Sequence, residues 1–202
     1  MLKVGLTGSI AVGKSFVLGV LAELGCQVLD ADATAREVVA PKTPGLAAVT
    51  EAFGKDVLNA DGSLDRAKLG AIVFADQAQR LHLNSILHPF IIVAQDEQLR
   101  EWEKKSPQGI AVVDAALMIE SGGYRRFDKL VVVHCRPEVQ LERLLARDAI
   151  SRNEAEQRIN AQMPQEEKKG YADFLIDSSG DFESTRQQTA NVFQKLSALR
   201  RM

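Results

Sequence analysis

The chain has 202 residues, of which 25 are basic and 27 acidic, giving a formal net charge of −2. The chain lacks the excess positive charge that binding to nucleic acid or to an anionic membrane usually requires. No apolar run reaches the roughly 20 residues that span a bilayer. The length favours one domain with an insertion, and the expected partner is a small molecule.

The first residues and the cysteines indicate the cell compartment. Residues 1–6 lead directly into glycines and a lysine, without the long apolar stretch and cleavage site of a secretory signal. Cys26 and Cys135 lie far apart beside apolar runs and show no metal-ligand spacing. We therefore expect a cytoplasmic protein whose two thiols stay reduced.

Short apolar runs predict the strands of a parallel sheet. Each run is mostly Val, Ile and Leu and lacks polar alternation, which is typical of strands buried on both faces. The runs lie at residues 2–6, 27–29, 110–113, 130–133 and 174–176. Separated by helical segments, they predict a three-layer α/β fold with a five-stranded parallel sheet.

The segments between the runs are predicted to be helical. Residues 15–24 read as a helix closed by Gly25, and Asp65 and Asp76 suit the N-caps of later helices. Pro137, the Ser151 and Glu154 capping box, and an amphipathic stretch at 181–201 mark three further helices. The predicted organisation is a core of residues 1–32, 106–143 and 172–202, a helical insertion at 33–105 and a lid at 144–171.

A glycine-rich motif follows the first predicted strand. Residues 8–15 fit G-x-x-x-x-G-K-[ST] and stand between a strand and a helix, the context that a phosphate-binding loop requires. In such a loop backbone N–H groups surround phosphate oxygens, the lysine, here Lys14, neutralises charge during transfer, and the serine, here Ser15, binds magnesium. The residues predicted to bind ATP with Mg²⁺ are Gly8, Ser9, Ile10, Ala11, Val12, Gly13, Lys14, Ser15 and Phe16.

Aspartates follow two of the predicted strands. Asp114 ends the third run, where folds with this loop often hold an aspartate that organises magnesium, directly or through water. Asp30 and Asp32 follow the second run, and the carboxyl ends of neighbouring parallel strands line one crevice. Asp32, at the start of the next helix, is therefore predicted to orient an acceptor hydroxyl and accept its proton; turn or N-cap roles are the alternatives for these aspartates.

Arginines cluster in the charged helical pair after the fourth strand. Arg143, Arg147 and Arg152 could be a solvated helix face, or a mobile lid could bring one of them onto the transferring phosphoryl group. Arg147, at the predicted helix end, is our choice for the catalytic lid arginine. His88 and Pro89 could mark a helix bend with a hydrogen-bonded histidine, the interpretation that position alone favours, or His88 could be functional; spacing does not decide between the two.

Taken together, these motifs closely resemble the dephospho-coenzyme A kinase family over nearly the whole chain. The matching segments are residues 5–8, 13–15, 30–32, 35–39, 87–89, 114–120, 135–141, 147–148, 162–164 and 172–177. The resemblance implies a P-loop kinase fold, dephospho-coenzyme A as the acceptor, Asp32 as base for the ribose 3′-hydroxyl and Arg147 as the lid arginine. It also places Arg36 and His88 in segments associated with the acceptor.

The chain departs from the family pattern at a few positions. Ala11 and Val12 replace small flexible residues, Phe16 replaces a threonine, and three further departures occur at Ala116, Met118 and Ile119.

Two other functions stay open: a kinase for nucleoside monophosphates, and a nucleotide-dependent switch or ATPase. No Asn-Lys-x-Asp segment for reading guanine is present, which argues against a GTPase. No surface pattern indicates an oligomeric state.

Overall fold

The computed structural model describes residues 1–199, apart from the side chain of Phe74, and the chain divides into two compact units. One unit contains residues 1–30 and those from 102 onward, and the other contains residues 31–101. The predicted end of the closing helix, at Arg201, lies outside the described residues.

A parallel sheet, with five strands over residues 1–199, lies in the first unit in the order β2-β3-β1-β4-β5. The strands are β1 (Leu2–Thr7), β2 (Gln27–Asp30), β3 (Ile110–Asp114), β4 (Lys129–His134) and β5 (Phe174–Asp177). All pairings are parallel, so the carboxyl ends of the strands meet at one edge. The predicted α/β fold with a parallel sheet is confirmed.

Helices follow the strands and fill the segments between them. They are α1 (Lys14–Glu23), α2 (Ala31–Glu37), α3 (Pro44–Phe53), α4 (Arg66–Ala75), α5 (Gln77–Lys105), α6 (Pro137–Asp148), α7 (Arg152–Asn160), α8 (Gln165–Lys169) and α9 (Phe182–Leu199). Short 3-10 helices lie at Lys55–Val57 and Gly123–Arg126. Local sequence signals set several helix ends: Gly25 has φ +93° just beyond α1, and Ser151 with Glu154 forms the capping box of α7.

The core of the first unit forms where the sheet packs against helices. Val4, Val131 and Ile176 of the strands are fully buried, as are Leu21 of α1 and Leu196 of α9. Burying one such side chain stabilises the fold by about 1.5–3 kcal/mol. This packing fixes the strand ends, and with them the loops that leave the carboxyl edge of the sheet.

The second unit is helical and has its own core. Val39, Val49, Val57, Leu69 and Val73 are buried together there. Asp65 caps α4 by accepting hydrogen bonds from the N–H groups of residues 67 and 68, and Asp76 accepts one from residue 78 at the start of α5. The helical content and the two N-caps predicted for this stretch are therefore confirmed.

Helix α5 continues through Pro89 even though a proline cannot donate a backbone hydrogen bond. It is 29 residues long, but charged and polar residues recur along it. Across residues 1–199, no helix has both the length and the apolar character needed to cross a membrane.

Candidate active site

The predicted phosphate loop connects β1 to α1 and has an unusual backbone. Gly8 has φ +154°, Gly13 has φ +84° and Ala11 has φ +60°. A Cβ atom added to Gly8 would lie 2.3 Å from the backbone oxygen of Val133 in β4, so only glycine fits there. The loop is thus packed directly against the neighbouring strand.

The N-terminus of α1 opens at this loop. Gly13 is its N-cap, and in the described part of the chain no side chain caps the helix there. The first-turn N–H groups and the positive end of the helix dipole suit an anionic ligand. Lys14 is half-buried and Ser15 is exposed in this first turn, so a cationic group and a hydroxyl accompany the open helix end.

Ser178 and Arg143 support the loop on the side of β5. The Ser178 hydroxyl donates to the Val12 carbonyl at 2.7 Å. The Arg143 guanidinium donates to the Ser178 hydroxyl at 3.1 Å and to its carbonyl at 2.7 Å. Arg143 therefore helps to fix the shape of the loop, a role that its place in a charged helix did not indicate.

Phe16 is the last residue of the predicted nucleotide-binding segment. Its ring centroid lies 4.9 Å from that of Phe182 in α9, and the Arg186 guanidinium carbon lies 5.8 Å from the Phe16 ring centroid. The family departure at position 16 is thus accommodated by an aromatic contact between α1 and α9.

Two aspartates end neighbouring strands at the carboxyl edge of the sheet. Asp114 ends β3, where it is in register with Leu6 of β1 and with Asp30, the last residue of β2. Among residues 1–199 no group of three or more His, Cys, Asp or Glu side chains could hold a metal by itself. Magnesium binds typically through one or two carboxylates together with substrate phosphates and water, and an oxygen set made of Ser15 and Asp114 fits that chemistry.

The residues predicted to handle the acceptor lie in the second unit. Asp32 is in the first turn of α2 and is exposed, and Arg36 lies four residues later on the same face of that helix. The Arg36 carbonyl accepts a hydrogen bond of 3.3 Å from Arg66. His88 is an exposed residue of α5.

Arg147 lies in the last turn of α6 with its side chain 56% exposed. Its Nε atom is 2.7 Å from one oxygen of Asp148, and Arg158 of α7 is 2.7 Å from the other oxygen. Hydrogen bonding to Arg147 is the main reason that the pKa of Asp148 lies below its ordinary value. Asp148 therefore orients the guanidinium groups of both arginines near the α6–α7 connection.

His134, at the end of β4, should make the stability of the folded chain depend on pH. Burial holds the pKa of its imidazole below the ordinary value of 6.5, and the positive charge of Lys169 acts in the same direction. The unfolded chain therefore binds this proton at a higher pH than the folded chain. The contribution of His134 to the free energy of unfolding is present above pH about 6.5 and is lost as the pH falls below that value through the lower pKa of the folded chain.

We expect urea midpoints to fall between pH 7 and pH 5.5, a window above the range in which carboxylates titrate. His134→Gln should weaken this pH dependence. An equal decline in the variant would show that another group is responsible.

Comparison with known proteins identifies the family. A sequence model described as dephospho-CoA kinase matches residues 2–184. A dephospho-CoA kinase from Carboxydothermus hydrogenoformans is 45% identical over 192 residues, covering 95% of this chain and 93% of the relative. These matches confirm the resemblance inferred from the motifs.

Solved structures support the same assignment. A dephospho-CoA kinase from Campylobacter jejuni is 30% identical with a TM-score of 0.74, covering 97% of each chain. A shikimate kinase from Acinetobacter baumannii is 15% identical with a TM-score of 0.54, covering 98% of this chain and 94% of the other, and shares the fold. The chain therefore belongs to the dephospho-CoA kinase family and has the fold of a P-loop kinase.

Proposed function

We propose that this chain transfers the γ-phosphoryl group of ATP to the ribose 3′-hydroxyl of dephospho-coenzyme A, giving coenzyme A and ADP. The observation that carries this proposal is the phosphate loop of residues 8–16 at the uncapped N-terminus of α1, in a chain that matches the family model over residues 2–184. ATP with Mg²⁺ is the proposed phosphoryl donor, and the reaction is the last step of coenzyme A synthesis.

The proposed donor site uses the loop and the carboxyl edge of the sheet. The backbone N–H groups of the loop bind phosphate oxygens, and Lys14 neutralises the charge that develops on the transferred group. Ser15 and Asp114 are the proposed magnesium ligands, Asp114 directly or through water. Held there, magnesium would supply positive charge that offsets the charge of the phosphate groups during transfer.

The proposed acceptor site uses residues of the second unit. Asp32 accepts a hydrogen bond from the 3′-hydroxyl, orients it for attack and takes its proton. Arg36 and His88 bind the acceptor. Arg36 suits an anionic part of it, because a guanidinium pairs well with phosphate oxygens.

The proposed organisation follows these roles. Residues 33–105 form an acceptor-binding insertion, and residues 144–171 form a lid that carries Arg147 onto the transferring phosphoryl group. A closed lid also keeps water away from ATP, which favours transfer to the hydroxyl over hydrolysis. We place the protein in the cytoplasm.

An acceptor panel tests the proposed function. Purified protein with ATP and Mg²⁺ is given dephospho-coenzyme A, a series of nucleoside monophosphates, or no acceptor, and ADP release is followed by a coupled assay. We expect turnover only with dephospho-coenzyme A. Turnover with another acceptor would remove the proposed substrate, and release without an acceptor would favour an ATPase.

Arg147→Lys tests the lid arginine. Lysine keeps the positive charge but loses the planar fork, so we expect kcat to fall by about tenfold to a hundredfold with a small change in the KM for ATP. Arg152→Lys is the matched control, since Arg152 is an exposed arginine of α7 that pairs with Glu156. An Arg147→Lys variant as active as the Arg152→Lys control would exclude Arg147 from the transition state.

A further inference from the structure

Ile10, the third residue of the phosphate loop, is bound through both of its backbone groups by glutamine side chains. Its N–H donates to Oε1 of Gln162 at 2.8 Å, and its carbonyl accepts a hydrogen bond of 2.8 Å from Nε2 of Gln140. Gln140 belongs to α6, and Gln162 lies between α7 and α8. One peptide position of the loop is thus held by two segments more than 100 residues away in sequence.

Gln140 is only 2% exposed, and further hydrogen bonds fix the orientation of its side-chain amide. Its Oε1 accepts a hydrogen bond of 2.8 Å from Nε2 of Gln165. Oε1 of Gln165 in turn accepts one of 3.0 Å from the backbone N–H of Cys135. Because each amide has one donor and one acceptor end, this chain of bonds forces Gln140 to donate to Ile10.

An ion pair with one buried end contacts the segment that carries Gln162. Glu120 accepts a hydrogen bond of 3.2 Å from the N–H of Met163, the next residue, and lies 2.8 Å from Nζ of Lys168. Lys168 is 1% exposed and also donates to the Ala116 carbonyl at 2.9 Å. Removing Glu120 would leave the buried ammonium group of Lys168 without its carboxylate partner, which is costly, so this pair helps to hold the segment that carries Gln162 in the described arrangement.

These contacts have a consequence for the loop. Ala11 follows Ile10 directly and has φ +60°, a left-handed conformation that side-chain-bearing residues adopt at a cost. Glycine would carry no such cost at this position. External support at Ile10 offsets the cost, and that support comes from Gln140 on one side and Gln162 on the other.

We propose that Gln162 is a positioning residue for nucleotide binding: by accepting the Ile10 N–H, it holds the loop in the shape that receives phosphates. This inference rests on the proposed function, since it assumes that the loop binds ATP. It also ties the loop to the segment between α7 and α8, so that ATP affinity depends on where that segment lies. Gln162 touches the loop backbone and is not a catalytic residue.

Two variants of Gln162 separate this role from simple packing. Gln162→Met keeps the length of the side chain and removes the acceptor, whereas Gln162→Glu keeps an acceptor oxygen. Gln157→Met is the control, because Gln157 is an exposed glutamine of α7. The full chain of each variant is measured for ATP affinity by calorimetry, for backbone amide exchange by NMR, for thermal stability and for the KM for dephospho-coenzyme A.

We expect Gln162→Met to bind ATP about tenfold more weakly, which is the effect of losing one hydrogen bond. Exchange of the Ile10 amide should be about tenfold faster or more, and the Tm should fall by about 2–4 °C, the effect of losing about 1 kcal/mol in a chain of this size. Exchange of the Val4 amide of β1 and the KM for dephospho-coenzyme A should stay unchanged. Gln162→Glu should keep the Ile10 amide protected, and Gln157→Met should behave as the wild type in all four measurements.

Specific outcomes would overturn the proposal. Wild-type ATP affinity and wild-type Ile10 exchange in Gln162→Met would remove it while leaving the proposed function intact. A Tm lowered by much more than about 4 °C together with faster exchange at Val4 would show a general loss of structure and would also remove the proposal. A wild-type protein that does not bind ATP would remove the proposed function, and this inference with it.

Discussion

An Asp32→Asn variant should transfer phosphoryl groups about a hundredfold to ten-thousandfold more slowly than the wild type, the range contributed by a positioned proton acceptor. Asparagine has nearly the same shape as aspartate but cannot take the proton of the 3′-hydroxyl. ATP affinity should change little, because the proposed phosphate site uses residues 8–16. The measurements are kcat from ADP release and the ATP dissociation constant by calorimetry.

Asp30→Asn is the matched control for this experiment. Asp30 lies two residues earlier and ends β2, so its replacement removes the same charge from the same short segment. We expect its kcat to fall far less than that of Asp32→Asn. Near-normal turnover in Asp32→Asn would exclude Asp32 as the base, and equal losses in both variants would point to a general charge effect.

A Gly8→Ala variant should lose about a hundredfold or more in ATP affinity. The added Cβ would lie 2.3 Å from the Val133 oxygen and 2.9 Å from a methyl carbon of Val12, at a backbone with φ +154°. Overpacking and backbone strain each cost about 1–3 kcal/mol. Because the Val133 oxygen belongs to a buried strand, the loop must move instead, and its N–H groups leave the positions that we propose receive phosphate.

Gly19→Ala is the control for the glycine experiment. Gly19 is a helical residue of α1, and a Cβ added there meets no atom within 4 Å among the described residues. This change should stabilise the protein by about 0.5–1 kcal/mol, because alanine is the better helix former, and should leave ATP affinity unchanged. Wild-type ATP affinity in Gly8→Ala would contradict the described packing of the loop.

The sheet was predictable because its pattern is local in the sequence. The apolar run at residues 110–113, for example, predicts a buried strand, and β3 contains it. The observed strands continue one residue further, onto Thr7, Asp30, Asp114, His134 and Asp177. Pairing between strands uses backbone groups, so a ladder extends onto a polar residue that hydrophobicity alone excludes from the strand.

The phosphate loop was predictable for a related reason. Its glycines, Lys14 and Ser15 stand at fixed spacings within eight residues, so the motif is recognised without any distant residue. The helical insertion and the capping box of α7 are likewise local features. The roles of Asp32, Arg36, His88, Asp114 and Arg147 remain predictions from the motifs and the family.

The supports of the loop could not be predicted in the same way. Gln140, Gln162 and Ser178 bind its backbone across 130, 152 and 166 positions of sequence. Contacts between a side chain and a distant backbone group have no periodicity that a single sequence reveals. Two signals were available, and neither shows these bonds: Gln140 and Gln162 lie in segments that match the family pattern, and they are uncharged in segments otherwise rich in charge, as expected for amides that bind buried partners.

Identifying the product tests the proposed phosphoryl transfer to dephospho-coenzyme A most directly. Purified protein is incubated with ATP, Mg²⁺ and dephospho-coenzyme A, and the products are characterised by phosphorus NMR and mass spectrometry. We expect one ADP for each coenzyme A, with the new phosphomonoester on the ribose 3′ position. ADP with free inorganic phosphate and unchanged dephospho-coenzyme A would contradict the account.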